Sequence, residues 1–326
     1  MQTTPIVLVT EPEYRRGEPV FASTSDLRCL ATKPDERSMC EAIAQHSARY
    51  VVVGSVPYGD ALYEALPRGG VIARFGVGHD TIDKAKATVA GLMCTNTPDV
   101  LQQSVAELTM LMIGAAARHL VPMANDMREG KWVLRQGTEM QGKTLAIIGC
   151  GAIGQAVARI AAVGYGMRVI GFRRKKATEQ RLEYFDSLTD DFGAAVAHAD
   201  FVSLHIPGSS TNRRFLDQSR LTRIPERAWL INTARGAVVD EPALFDALQN
   251  GRLAGAALDV FEREPYEPSP GRDLRTLPNV ILVPHVGSHT ADANRRMAQR
   301  AIRNIRLAHA GYFAAMDLLN GSILQA

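Results

Sequence analysis

Arg235, Glu264 and His285 are the side chains of this chain best suited to chemistry, and all three stand downstream of a glycine loop, Gly149-Cys150-Gly151-Ala152-Ile153-Gly154. Arg235 lies in Asn-Thr-Ala-Arg-Gly, Glu264 in Phe-Glu-Arg-Glu-Pro and His285 in Val-Pro-His-Val-Gly-Ser. A guanidinium stays protonated and grips carboxylates in a planar fork. An imidazole titrates near neutrality, and a neighbouring carboxylate favours its charged form. Together with a dinucleotide site, these groups are what reversible hydride transfer on a 2-oxo or 2-hydroxy acid requires. Taken singly, each has an ordinary alternative: a surface ion pair for Arg235, an exposed loop acid for Glu264, a capping or core histidine for His285.

The glycine loop follows the apolar run Lys143-Thr-Leu-Ala-Ile-Ile and leads into Gln155-Ala-Val-Ala-Arg-Ile-Ala-Ala, the strand, turn and helix that a dinucleotide fingerprint needs. Gly149 suits the tight turn, Gly151 lets the backbone approach a pyrophosphate, and Gly154 permits close helix packing. The amides of the first helical turn, from Ala152 and Ile153 onward, would face the phosphates. An NAD-specific site carries an acid about 20 residues further on for the ribose hydroxyls. Here Arg173 stands 22 positions beyond Gly151, and no acid occurs before Glu179. Arg173 and Arg174 would pair with a 2′-phosphate, which favours NADP over NAD as cofactor. The other reading of Arg173-Arg-Lys-Lys176 is a solvated basic turn.

These residues must be held by a scaffold, and the chain's length and pattern say which kind. At 326 residues it exceeds one compact core, so two domains are expected. A net charge of +3 with 22% charged residues points to neither nucleic acid nor a membrane surface as partner. Cys29, Cys40, Cys94 and Cys150 show no metal-ligand spacing, so no metal is expected, and they fit reduced thiols in a cytoplasmic protein. The N-terminus has no basic segment and too short an apolar run for a signal peptide. Val105 to Ala117 is apolar but falls short of a membrane span.

Short β-branched runs alternate with helical ones: residues 6–10, 50–53, 71–74, 145–149, 168–172, 201–205, 228–232 and 280–283 read as strands. Such alternation predicts an α/β fold with mostly parallel, buried strands. The first set has no glycine fingerprint and reads as flavodoxin-like; the fingerprint opens mid-chain, as a Rossmann domain would. Val100–His119 is expected to be a helix at the domain junction, and residues 289–310 a helix returning to the first domain. The expected division is residues 1–99 and 288–326 for a discontinuous substrate-binding domain, and 100–287 for the dinucleotide-binding domain. The fold class is thus two similar doubly wound α/β domains.

With these motifs assembled, the chain resembles the D-isomer-specific 2-hydroxyacid dehydrogenase family, which includes glyoxylate/hydroxypyruvate reductases and phosphoglycerate dehydrogenases. The resemblance rests on Phe75-Gly-Val-Gly-His-Asp-Thr-Ile-Asp83, Thr95-Asn-Thr-Pro98, Ser104-Val-Ala-Glu-Leu108, the glycine loop, Trp229-Leu-Ile-Asn-Thr-Ala-Arg-Gly-Ala-Val-Val-Asp240, Ala257-Leu-Asp-Val-Phe-Glu-Arg-Glu-Pro265 and Pro284-His-Val-Gly-Ser288. It implies a cleft between two domains and a homodimer built on the nucleotide-binding domains. It also implies that Arg235 holds the substrate carboxylate and polarises its carbonyl, helped by backbone amides around Gly76, Val77 and Gly78. His285 would exchange the proton, and Glu264 would fix and charge the imidazole. Asp259 is expected near the nicotinamide amide, with Thr233 and Pro207 as further cofactor-lining positions.

Two departures narrow the substrate. Where phosphoglycerate dehydrogenases typically carry a phosphate-binding arginine, this chain has Gly54-Ser-Val-Pro57, and it ends soon after the returning helix. Glu264, where formate dehydrogenases have glutamine, argues against formate. The expected activity is an NADPH-preferring reduction of a small 2-oxo acid such as glyoxylate or hydroxypyruvate. Its rivals are an NAD-dependent phosphoglycerate dehydrogenase and, from another class, a non-catalytic dinucleotide-sensing scaffold like the corepressors of this superfamily.

Overall fold

The computed structural model describes residues 4–174 and 182–325 and divides into two compact units, Met1–Leu101 with Ser288–Ala326, and Gln102–Gly287. Among the described residues no single helix is long and apolar enough to cross a membrane.

In the first unit five strands, β1 (Ile6–Thr10), β2 (Arg28–Thr32), β3 (Tyr50–Val53), β4 (Val71–Arg74) and β5 (Met93–Thr95), form a parallel sheet in the order β2-β1-β3-β4-β5. That is the flavodoxin-like order. The unbroken apolar runs Tyr50-Val-Val-Val and Val71-Ile-Ala, buried throughout, are what a parallel sheet covered on both faces demands. Met39, Ile43, Leu62 and Leu92 pack on one face with Leu8, Val51, Val53 and Ile72. The helix Ala291–His309, capped by the Thr290 side chain on the Ala293 amide, packs against Glu11–Ser23 and β4. Beyond it the chain returns to the free edge of β5, where Asn320 accepts from the Cys94 amide and donates to the Leu92 carbonyl.

In the second unit seven strands pair in parallel in the order β12-β11-β10-β9-β6-β7-β8. They are β6 (Thr144–Ile148), β7 (Arg168–Phe172), β8 (Ser187–Thr189), β9 (Phe201–Leu204), β10 (Trp229–Asn232), β11 (Gly255–Leu258) and β12 (Val280–Leu282). Alternate residues serve opposite faces: Leu145 and Ile147 join Met110, Ile113, Val157 and Ile231, while Ala146 and Ile148 join Leu204, Leu230, Leu244 and Phe245. The order reverses between β6 and β9, and the carboxyl ends of the strands beside that point are where open α/β sheets bind ligands. The glycine loop follows β6, His205 follows β9, Arg235 lies just past β10, Asp259 follows β11 and His285 lies just past β12. The fold therefore collects at one sheet edge residues that are far apart in sequence.

Several elements have no strong local signal. The edge strands β2 and β8, the short β5, and Gly255-Ala-Ala-Leu in β11 lack β-branched runs, and their pairing is decided by the neighbouring strands.

Candidate active site

The glycine loop owes its shape to its three glycines. Gly149 leaves β6 at φ +106, a conformation side chains avoid, and a Cβ there would lie 2.5 Å from the His205 carbonyl oxygen. Its amide donates to the Phe172 carbonyl at 3.0 Å, which holds the loop beside the end of β7. A Cβ on Gly154 would come within 2.1 Å of the Gly149 carbonyl oxygen, so the helix Ala152–Arg159 can seat only on glycine. Gly151 is different: no described atom lies within 4 Å of where its Cβ would be, leaving room for a ligand against the backbone. Helix Ala152–Arg159 starts here, and its first amides have no intrahelical acceptor. The loop thus fits a dinucleotide pyrophosphate.

Arg173 directly follows β7, with its amide bonded to the Thr189 carbonyl and its Nε buried without a partner among the described residues. Arg174 is exposed. Lys175 and Lys176, the rest of the basic turn, lie outside the described residues.

His285 and Glu264 meet directly, with Nδ1 and Oε2 2.6 Å apart. A carboxylate can only accept, so Nδ1 carries the proton and Nε2 is left for another partner. The other carboxylate oxygen, Oε1, accepts from the Phe261 amide at 3.0 Å. Burial pushes the Glu264 carboxyl up, but the His285 hydrogen bond and charge, the Phe261 N–H and the nearby Arg235 outweigh it and hold the group below its ordinary value. Arg235 is held by its own turn: Asn232 donates to the Arg235 carbonyl and accepts from the Ala234 amide, each at 3.0 Å. The next residue must be glycine, because a Cβ on Gly236 would fall 1.9 Å from the Phe261 carbonyl carbon.

Asp259 occupies a supporting place. It is 1% exposed, and its two carboxylate oxygens accept from the amides of Val286 and Gly287, the two residues after His285, at 2.6 and 2.8 Å. Its carbonyl accepts from the His285 amide at 2.8 Å. His285 itself sits at φ +51, a costly region for a side-chain-bearing residue, and these three bonds hold it there. Burial raises the Asp259 carboxyl despite its two N–H donors. Thr233 is likewise turned inward: its hydroxyl is buried 2.9 Å from that of Thr109. Pro207 is exposed after β9, with its carbonyl bonded by Asn212.

His205 had no place in the motif reading. Its Nε2 lies 2.8 Å from the Ser203 hydroxyl, its Nδ1 is buried without a partner among the described residues, and burial pulls it down to about 3. It is therefore neutral at physiological pH. Its signal in the sequence was position alone, a histidine ending β9 opposite Gly149.

Gly76, Val77 and Gly78 belong to the first unit, at the carboxyl end of β4. The Gly76 carbonyl accepts from the Thr97 amide at 3.1 Å, and the Val77 carbonyl from Asn96 Nδ2 at 2.8 Å. The amides of Val77 and Gly78 find no acceptor among the described residues. Two adjacent N–H groups without acceptors are the kind of donor that backbone anion sites use.

Comparison with known proteins agrees with this geometry. The profile of the NAD-binding domain of D-isomer specific 2-hydroxyacid dehydrogenases matches residues 109–287. A glyoxylate reductase of Thermococcus litoralis is 38% identical over 272 residues, covering 81% of this chain and 80% of that protein. A hydroxypyruvate reductase of Thermotoga maritima is 38% identical over 238 residues, covering 72% and 76%. Among solved structures, the NADPH-dependent glyoxylate/hydroxypyruvate reductase of Sinorhizobium meliloti, in complex with NADP and malonate, superposes with a TM-score of 0.80 at 27% identity over 94% of each chain. The motifs, the two parallel-sheet domains and these likenesses converge: this chain belongs to the D-isomer-specific 2-hydroxyacid dehydrogenase family and is an oxidoreductase.

Proposed function

We propose that the enzyme reduces a small unphosphorylated 2-oxo acid, glyoxylate or hydroxypyruvate, with a preference for NADPH. The observation that carries the chemistry is the His285–Glu264 bond of 2.6 Å, which fixes the tautomer and leaves Nε2 to face a substrate. Bound along the glycine loop, a nicotinamide dinucleotide supplies the hydride. His285 gives the proton on Nε2 to the carbonyl oxygen as the carbon is reduced, and takes it back in the reverse direction. Glu264 keeps the imidazolium charge compensated throughout. Arg235 pairs with the substrate carboxylate and draws charge toward the carbonyl oxygen, and the Val77 and Gly78 amides are donors suited to a carboxylate. Gly149, Gly151, Ala152, Ile153 and Gly154 hold the pyrophosphate, while Pro207 and the backbone at Thr233 line the cofactor. Asp259 acts through the His285 turn.

The preference for NADPH rests on Arg173, whose orphaned buried Nε stands one residue past the strand that the glycine loop is bonded to. The relative solved with NADP is named as NADPH-dependent, which supports the same reading. An unphosphorylated substrate is supported by Glu13, a buried carboxylate lying against Gly54 in the loop after β3. Arg16 lies 3.9 Å from it and offsets part of its charge. We further propose a cytoplasmic homodimer. The second unit exposes Leu111, Leu120, Met127, Trp132, Leu134 and Val163, with Trp132 80% and Leu134 85% accessible, apolar side chains that a second copy would cover.

Initial rates with NADH and NADPH against glyoxylate, hydroxypyruvate, pyruvate and phosphohydroxypyruvate test the reading. It expects the best kcat/KM for NADPH with one of the first two, and turnover confined to phosphohydroxypyruvate would overturn it. Arg173→Asp should raise the KM for NADPH by about ten- to a hundredfold while NADH changes much less. An unmoved NADPH/NADH ratio would reverse the cofactor assignment.

A further inference from the structure

We infer that Arg74 is the positioning residue of the substrate-carboxylate loop, a second guanidinium that shapes the anion site from beneath without touching the substrate. The inference rests on the carboxylate role proposed above for Gly76–Gly78. Arg74 ends β4 and is buried at 8% exposure. An arginine at a strand end ordinarily reaches for solvent, but this one folds back under the loop that follows it. Its Nε donates to the Gly78 carbonyl at 2.8 Å, and its Nη1 to the carbonyls of Phe75 at 2.5 Å and Val53 at 3.3 Å. A Cβ on Gly76 would stand 3.4 Å from Cζ, Nη1 and Nη2 alike, so the guanidinium plane lies flat against that residue. Gly76 adopts φ +141, which only glycine takes readily.

The consequence is a division of the loop's polar groups. Arg74 takes the carbonyls of Phe75 and Gly78, Asn96 takes that of Val77, and the Thr97 amide takes that of Gly76. The Gly76 amide donates to the Thr97 hydroxyl at 3.1 Å. With every carbonyl from Phe75 to Gly78 drawn away, what the loop presents is the pair of N–H groups on Val77 and Gly78. A carboxylate meeting that loop finds donors only, over a buried positive charge that strengthens the attraction in a low-dielectric setting. A lysine would keep the charge but has no planar fork to hold two loop carbonyls at once.

The test uses the full-length enzyme with NADPH bound and oxamate, an unreducible isostere of a 2-oxo acid, as a probe whose affinity calorimetry reads without turnover. In Arg74→Met the KM for the oxo acid and the dissociation constant of oxamate should rise together by about ten- to a hundredfold. Arg74→Lys should fall between that variant and the parent. NADPH affinity and the pH profile of kcat should stay as in the parent. Asn96→Ala, which frees the Val77 carbonyl by another route, should weaken oxamate in the same sense and carries the test if Arg74→Met does not fold. Lower melting temperatures with unchanged oxamate affinity in Arg74→Lys and Asn96→Ala would make Arg74 merely structural and overturn the inference. A parent that binds oxamate but reduces no 2-oxo acid would count against the proposed function, not against this role.

Discussion

Each unit carries a glycine-rich loop at the carboxyl edge of a parallel sheet, and the two present backbone N–H donors by different means. At Gly149–Gly154 the donors come from a helix terminus, and glycine is needed because the helix seats against the Gly149 carbonyl and the loop against that of His205. At Gly76–Gly78 no helix supplies donors; Arg74, Asn96 and Thr97 make them by removing the competing acceptors. A second contrast lies in what titrates. The first unit's loop is built of backbone dipoles and a guanidinium, which keep their charge across the physiological range. The edge of the second unit's sheet holds Glu264, whose carboxyl is held below its ordinary value, and Asp259, whose carboxyl burial raises.

His285→Ala should break the comparison most visibly. Turnover should fall by about 10²- to 10⁴-fold while NADPH and oxamate affinities stay near those of the parent. Steady-state rates together with cofactor fluorescence check this, and near-normal turnover at neutral pH would remove His285 from the mechanism.

Gly76→Ala asks the reverse question of the other loop. A methyl group at φ +141, pressed 3.4 Å from the Arg74 guanidinium, must shift the cradle. The KM for the oxo acid should rise by about tenfold, with kcat much less affected and the pH profile superimposable on the parent's. A loss confined to kcat would mean that the loop serves something other than ground-state binding of the carboxylate.

Glu264→Gln has the subtlest expected effect and sharpens the assignment of pH dependence. Removing the anion beside the imidazole disfavours its charged form, so reduction should decline at a lower pH than in the parent. Stability should report the same pair. Glu264 is held below its ordinary value in the folded chain, so its contribution is present above the unfolded carboxylate's range and is lost as pH falls through the lower, folded value. In the glutamine variant that acid limb of the melting curve should disappear. A pH profile and an acid limb that both match the parent's would leave Glu264 without influence on the proton chemistry.

The catalytic candidates were legible because their signals are local. Gly-x-Gly-x-x-Gly between an apolar strand and a helix speaks of backbone angles and close approach, which belong to the residues themselves. The arrangement around them was not legible, because it depends on partners chosen by the fold. Asp259 is expected near the nicotinamide amide, and its oxygens are taken by the amides of the two residues after His285, 27 and 28 positions away. Thr233 is expected at a cofactor-lining position, and its hydroxyl is buried against that of Thr109. Arg74 carries no signal of its place in the sequence, because a buried guanidinium and an exposed one are written with the same letter.

What the amino-acid sequence determined alone was the α/β alternation, the glycine turn and the types of group available for chemistry, since hydrophobic periodicity and glycine's freedom act over a few residues. Only the tertiary structure decided that His285 bonds Glu264, that Asp259 accepts from the backbone just after His285, and that one loop presents N–H groups instead of carbonyls. Those outcomes turn on which donors and acceptors find each other once the strands have paired, and the satisfaction of buried polar groups is a property of the whole fold.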